Sequence, residues 1–164
     1  MDSSDRLPRH LAIAFALALV IYAAFFSCDQ RLRHRKGPWQ VAFTTNASAF
    51  PAIIINQPTI GITNVQIVFE GETSTNVPGR VVFNRPQQSL PFGKVKFEDL
   101  TYLPGSVTFD FFGHEVELLP RTLYLNKVEH PWKSGAVFTL KPNQKLPPEA
   151  SVDPRAKKKR SFRR

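Results

Sequence analysis

SVTFDFFGHEVELL, residues 106–119, reads as a β-hairpin. Apolar residues recur at every second position on both sides of a glycine, which is the period of a pleated strand and not of a helix. Placing Gly113-His114 as a two-residue loop gives glycine the first central position that a type II′ hairpin turn requires. That register sets Phe111 opposite Val116 and Phe109 opposite Leu118, with His114 in the turn. It also sets Asp110 opposite Glu117 with Glu115 on the same face, and like charges so placed repel.

Working upstream, WQVAFTT (39–45) puts Trp39, Val41 and Phe43 on one face, and FPAIIIN (50–56) reads as a strand buried on both faces through Ile53, Ile54 and Ile55. ITNVQIVFE (62–70) alternates Ile62, Asn64, Gln66 and Val68 with Thr63, Val65, Ile67 and Phe69. RVVFN (80–84) follows Pro78-Gly79, and GKVKFEDL (93–100) directs Val95 and Phe97 inward with Lys94 and Lys96 outward. Downstream, RTLYLN (121–126) and AVFTL (136–140) bring the count to about eight or nine strands. Short strands separated by NQP, VPG, LPG and KSG turns, with no amphipathic helix after residue 37, predict an all-β fold. The expected form is a small antiparallel β-sandwich, or a partly closed barrel. No repeat period is visible.

The first part of the chain obeys another pattern. LAIAFALALVIYAAFFSC (11–28) contains 18 residues without a charge. As a helix it extends about 27 Å, close to the hydrocarbon thickness of a bilayer. It has no polar face to turn toward water, which separates it from a soluble amphipathic helix. It is longer than a secretory h-region, and Phe25 and Phe26 stand where a small-residue cleavage site would belong. The expectation is one uncleaved transmembrane helix or signal-anchor preceding the β domain, with lipidation of Cys28 as the alternative. The resulting division is an N-terminal tail (1–10), the helix (11–28), a basic juxtamembrane linker (29–37), the β domain (38–141) and a disordered basic tail (142–164).

Net charge is +9, but it is distributed unevenly. Residues 38–145 carry nine Lys/Arg against eight acids, whereas residues 146–164 carry seven against two. A nearly neutral body makes nucleic acid an unlikely partner for the folded surface. The candidate functional residues are instead two cationic groups suited to anionic lipid headgroups: Arg31, Arg33, Arg35 and Lys36 after the helix, and Lys157, Lys158, Lys159, Arg160, Arg163 and Arg164 at the C-terminus. Lys/Arg counts flanking the helix place the β domain in the cytoplasm; the architecture, an N-terminal anchor followed by a sandwich, points to an exported, periplasmic-side domain. We expect export, at a bacterial membrane, with the lipid bilayer and an unknown protein as partners.

No constellation signals catalysis. HEVE (114–117) lacks the second histidine of a zinc-protease helix and lies in a strand pattern. The only cysteine is Cys28, so an intrachain disulfide is impossible. The acidic group Asp110, Glu115 and Glu117 is expected to be offset by Arg121, Lys94 or Lys96, with a calcium ion as the alternative. Trp39 and Trp132 each follow a proline and are expected to seal the core edge, with sugar stacking as the alternative. The NAS triplet at Asn46 reads as a loop. No cofactor is expected. The functional expectation is a non-catalytic, membrane-anchored interaction or structural module; the alternative is a tethered binding domain for a small ligand, carbohydrate or metal ion.

Overall fold

The computed structural model describes residues 6–75 and 78–147. It contains one long helix, α1 (Arg6–Arg33), followed by ten strands: β1 (Trp39–Thr45), β2 (Pro51–Gln57), β3 (Ile62–Phe69), β4 (Gly79–Phe83), β5 (Lys94–Asp99), β6 (Ser106–Phe111), β7 (His114–Leu118), β8 (Thr122–Leu125), β9 (Val128–Pro131) and β10 (Val137–Leu140).

The strands form two open five-stranded sheets, ordered β10-β3-β2-β1-β4 and β5-β6-β7-β8-β9. Among the described residues each sheet keeps two free edges, so the body is a sandwich and not a closed barrel. Pairings among the described residues are antiparallel except the edge pair β10–β3, which is parallel, with Val137 opposite Gln66. β9 and the parallel edge are additions to the sequence expectation. β9 is exposed through most of its length (Val128, Glu129, Pro131) and so carries no inside-outside alternation to read.

Trp39, Val41 and Phe43 of β1 face Val107, Phe109 and Phe111 of β6 across one core, which also takes Ile53, Ile55, Val65, Ile67 and Phe69. Both ends of this core are closed by aromatic rings. Near α1, Trp39 and Trp132 pack in a tilted pair with centroids 5.3 Å apart. At the far end Phe43, Phe69, Phe92 and Phe111 interlock, with Phe43–Phe92 at 4.9 Å and Phe69–Phe111 at 5.3 Å. Edge-to-face and tilted geometries at these spacings suit the ring quadrupoles and contribute beyond area burial.

Four local readings are corrected. Of the three isoleucines in β2, Ile53 and Ile55 are fully buried and Ile54 is half-buried, because the strand faces the second sheet on one side alone. In β3 the alternation is interrupted at Asn64, which adopts a positive φ of 53° beside a register shift between Ile55 and Gln57. This bulge brings Ile62 onto the core face with Val65, Ile67 and Phe69. A second bulge, between Val95 and Phe97, turns Phe97 out to 58% exposure and Glu98 inward. An extra residue in one strand reverses the faces of everything beyond it.

The fourth correction concerns the hairpin. It is present, but the loop is Phe112-Gly113, with φ of 55° and 86°, so both central residues are left-handed as in a type I′ turn. The register is Phe111↔His114, Phe109↔Val116 and Val107↔Leu118. Moving a loop by one residue shifts the pairing by two and leaves every side chain on its original face. Alternation alone therefore does not distinguish the two registers. His114 consequently lies in β7 and is fully buried.

Candidate functional site

α1 is a continuous helix because Ala, Leu and other good helix formers fill it without a break, while Pro8 sits in the first turn where a missing N–H is harmless. Residues Pro8–Arg33 are long and apolar enough to cross a bilayer, and none of their most apolar stretch is buried. The helix runs past the apolar run: residues 29–33, expected in the linker, form its last turn and a half. Gly37, at φ 69°, ends the turn that follows.

The helix end is fastened to the sandwich. Arg33 donates through Nε to Asp29 at 2.7 Å, one turn back, and its guanidinium lies 5.0 Å from the centre of the Tyr102 ring. The Arg33 carbonyl accepts the Leu103 N–H at 2.6 Å, which satisfies one of the four carbonyls left open at any helix C-terminus. The loop that receives it, residues 100–105, is itself braced. The Asp99 carboxylate accepts the Thr101 N–H at 3.0 Å, and this hydrogen bonding holds Asp99 below its ordinary pKa. Trp39 Nε1 donates to the Gly105 carbonyl at 2.6 Å. On the other side, Gln57, almost completely buried, donates through Nε2 to the carbonyls of Gly37 and Pro38 at 2.8 and 2.9 Å.

The four juxtamembrane candidates are thus not equivalent. Arg31, Arg35 and Lys36 are exposed around the helix end, whereas Arg33 is half-buried and committed to Asp29 and Tyr102. Lys157, Lys158, Lys159, Arg160, Arg163 and Arg164 lie outside the described residues. Their origin is nevertheless informative. Residues 142–147, which composition assigns to the tail, cross the end of the sandwich away from α1. Leu146 N–H donates to the Gly113 carbonyl at 3.0 Å, and Lys145 pairs with Glu72 at 2.5 Å.

At this far end the acidic group is arranged differently from the expected one. Asp110 faces Glu115, and Glu117 faces Thr108 and Tyr124. The expected cationic offset comes from β5: Lys94 lies 3.4 Å from Asp110, and Lys96 lies 2.6 Å from Glu115. Glu129 and Glu117 flank Tyr124, and the charge of Glu129 is the main cause of a raised Tyr124 pKa. Among the described residues, no three His, Cys, Asp or Glu side chains are grouped so as to hold a metal.

His114 sits behind this surface. Asn126 Oδ1 accepts the Glu115 N–H at 3.0 Å, so its Nδ2 is the group that reaches the Gln144 carbonyl at 2.8 Å and His114 Nδ1 at 3.0 Å. An amide donating to Nδ1 requires that nitrogen to be unprotonated, which leaves the proton on Nε2. Among the described residues, no hydrogen-bond partner reaches the buried Nε2. Burial, and next the Lys145 charge, lower the His114 pKa below its ordinary 6.5, with Glu72 and Asp110 opposing. A concavity of about 730 Å³ adjoins it, lined by residues that include Lys94, Lys96, Asp110, Glu115, Lys127 and Lys145.

Trp39 is buried, which closes its ring to sugar stacking; Trp132 is half-buried, tilted against Trp39, with its Nε1 donating to the Leu119 carbonyl at 2.8 Å. Sequence reasoning placed a turn at LPG (103–105) but missed its contact with α1, and it missed the burial of His114. The contact spans nearly seventy residues and has no local signature, whereas Phe112-Gly113 was an available turn signal. No protein-family model, curated protein or solved structure matches this chain.

Proposed function

We propose that the protein is a non-catalytic, membrane-anchored β-sandwich that displays its folded body at a bacterial membrane as an interaction or structural module. The observation carrying this reading is α1: a span-length apolar helix that buries none of its apolar window against the protein, yet whose last turn is bonded to the sandwich. A helix that is apolar all round finds its most favourable surroundings in lipid. Arg31, Arg35 and Lys36 then lie where anionic headgroups are available, and the exported side is the proposed location of the body.

The C-terminal basic group has a different geometric relation to that membrane. It departs from the far end of strands about 23 Å long at 3.3 Å per residue. From Pro147 to Lys157 is ten residues, which extended reach roughly 33–36 Å. Returning to the same bilayer would use most of that reach, so an anionic partner away from the anchor is as well placed. The test is alkaline extraction of membranes carrying the full chain, combined with a reporter fused after Arg164. Retention in the membrane fraction with an exported reporter is expected; release at alkaline pH would overturn the anchor.

A second reading, a tethered binding domain, is favoured by the concavity beside His114, where four lysines outnumber Asp110 and Glu115 and suit a small anionic ligand. A ligand-dependent rise in unfolding temperature that Lys127→Ala removes would support it.

A further inference from the structure

We propose that the loop 100–104 is a lipid-headgroup contact, so that the sandwich is seated on the bilayer in one orientation instead of swinging on a tether. The inference rests on the membrane anchor proposed above and adds a position and a partner surface for the body.

The first support is depth. The apolar run ends at Cys28, and Arg33 lies five residues further along an unbroken helix, about 7.5 Å at 1.5 Å per residue. The headgroup layer on each side of the hydrocarbon is roughly 5–8 Å thick. The Arg33 guanidinium and the Tyr102 ring 5.0 Å from it fall within or at the margin of that layer. Helix tilt brings them closer to the hydrocarbon.

The second support is rigidity. The Arg33 carbonyl bonds to Leu103 N–H, Trp39 holds the loop through Gly105, and Gln57 holds Gly37 and Pro38. Chain entering the sandwich from α1 is therefore bonded on two sides, which restrains a hinge at the junction. The third support is chemistry. Tyr102 is 61% exposed and Leu32 is 54% exposed, although both adjoin charged Arg33. An apolar body with a polar tip, beside a cation, is the composition that membrane interfaces favour. Exposure of these side chains is costly in water and is relieved in the interfacial layer.

The experiment uses the full chain in bilayer discs of phosphatidylcholine and phosphatidylglycerol, with Cys28→Ser removing the native thiol. Single nitroxide labels are attached at Thr101→Cys, at Ser48→Cys in the far-end loop, and at Ala18→Cys in the middle of α1. Accessibility to a water-soluble nickel complex is expected to be lowest at 18, several-fold lower at 101 than at 48, and near the aqueous value at 48. As an independent readout, Tyr102→Trp fluorescence should be quenched by lipids brominated near the headgroup, beyond the quenching of the native chain. Equal nickel accessibility at 101 and 48 with label 18 still protected would overturn the seating while leaving the anchor intact. Aqueous accessibility at 18 would overturn the anchor itself, and this inference with it.

Discussion

Lowering the pH from 7.5 to 5.5 should destabilise the sandwich through one buried imidazole. His114 is fully buried, its Nδ1 takes a hydrogen bond from Asn126, and burial holds its pKa below 6.5. In the unfolded chain the same group titrates at its ordinary value. Because the folded pKa is the lower one, the stabilising contribution is complete above pH 6.5 and is lost as pH falls toward the folded pKa. If the folded imidazole stays neutral across this interval, the unfolded chain gains RT ln(1 + 10), about 1.4 kcal/mol, by pH 5.5. That figure is a ceiling; partial protonation in the folded state reduces it. With a urea dependence of about 1–3 kcal/mol per molar for a domain of this size, the midpoint shifts down by about 0.5–1.4 M. The assay is urea unfolding of the full chain in bilayer discs, followed by the fluorescence of Trp39 and Trp132. His114→Gln supplies the reference, since it removes this titration and retains other pH-dependent groups. The quantity of interest is the difference between the two pH dependences. Equal dependences in the native chain and in His114→Gln would refute the claim that His114 is held neutral.

Three further outcomes follow from the packing. Phe109→Ala empties the centre of the ring cluster formed with Phe83 and Phe111, at 5.2 and 5.1 Å, and should cost about 3–5 kcal/mol in the same unfolding assay. Phe97→Thr should change stability by no more than about 0.5 kcal/mol, because the bulge in β5 has already turned that ring to solvent. A loss of several kcal/mol would place Phe97 inside and contradict the bulge. Gly105→Ala should destabilise the chain and loosen the helix junction, since a Cβ there would collide with the Asp99 carbonyl. Its readout is increased mobility of a nitroxide at residue 101.

Periodicity is a local property and is legible along the chain without tertiary information. Eighteen uncharged residues describe a lipid-length helix because a helix cannot hide an apolar surface on every side in water. Trp39, Val41 and Phe43 share a face because strand side chains alternate, and no tertiary knowledge is needed to see it. Charge offset at Asp110 and Glu115 was legible for the same reason, since Lys94 and Lys96 alternate on a strand of their own.

What a period leaves open is fixed by packing and by contacts between distant segments. A two-residue slip of the 106–119 hairpin preserves every face, so only the Phe112-Gly113 turn geometry selects the register that buries His114. Bulges at Asn64 and in β5 reverse faces through one extra residue, which local alternation cannot anticipate. The junction of α1 with the sandwich is wholly non-local: Arg33 meets Tyr102 and Leu103 because closing the loop around Gly105 and Trp39 brings that segment to the helix end. Composition decides which surfaces avoid water. Which distant residues then share a surface depends on chain closure, and chain closure fixed the attachment of this body to its helix.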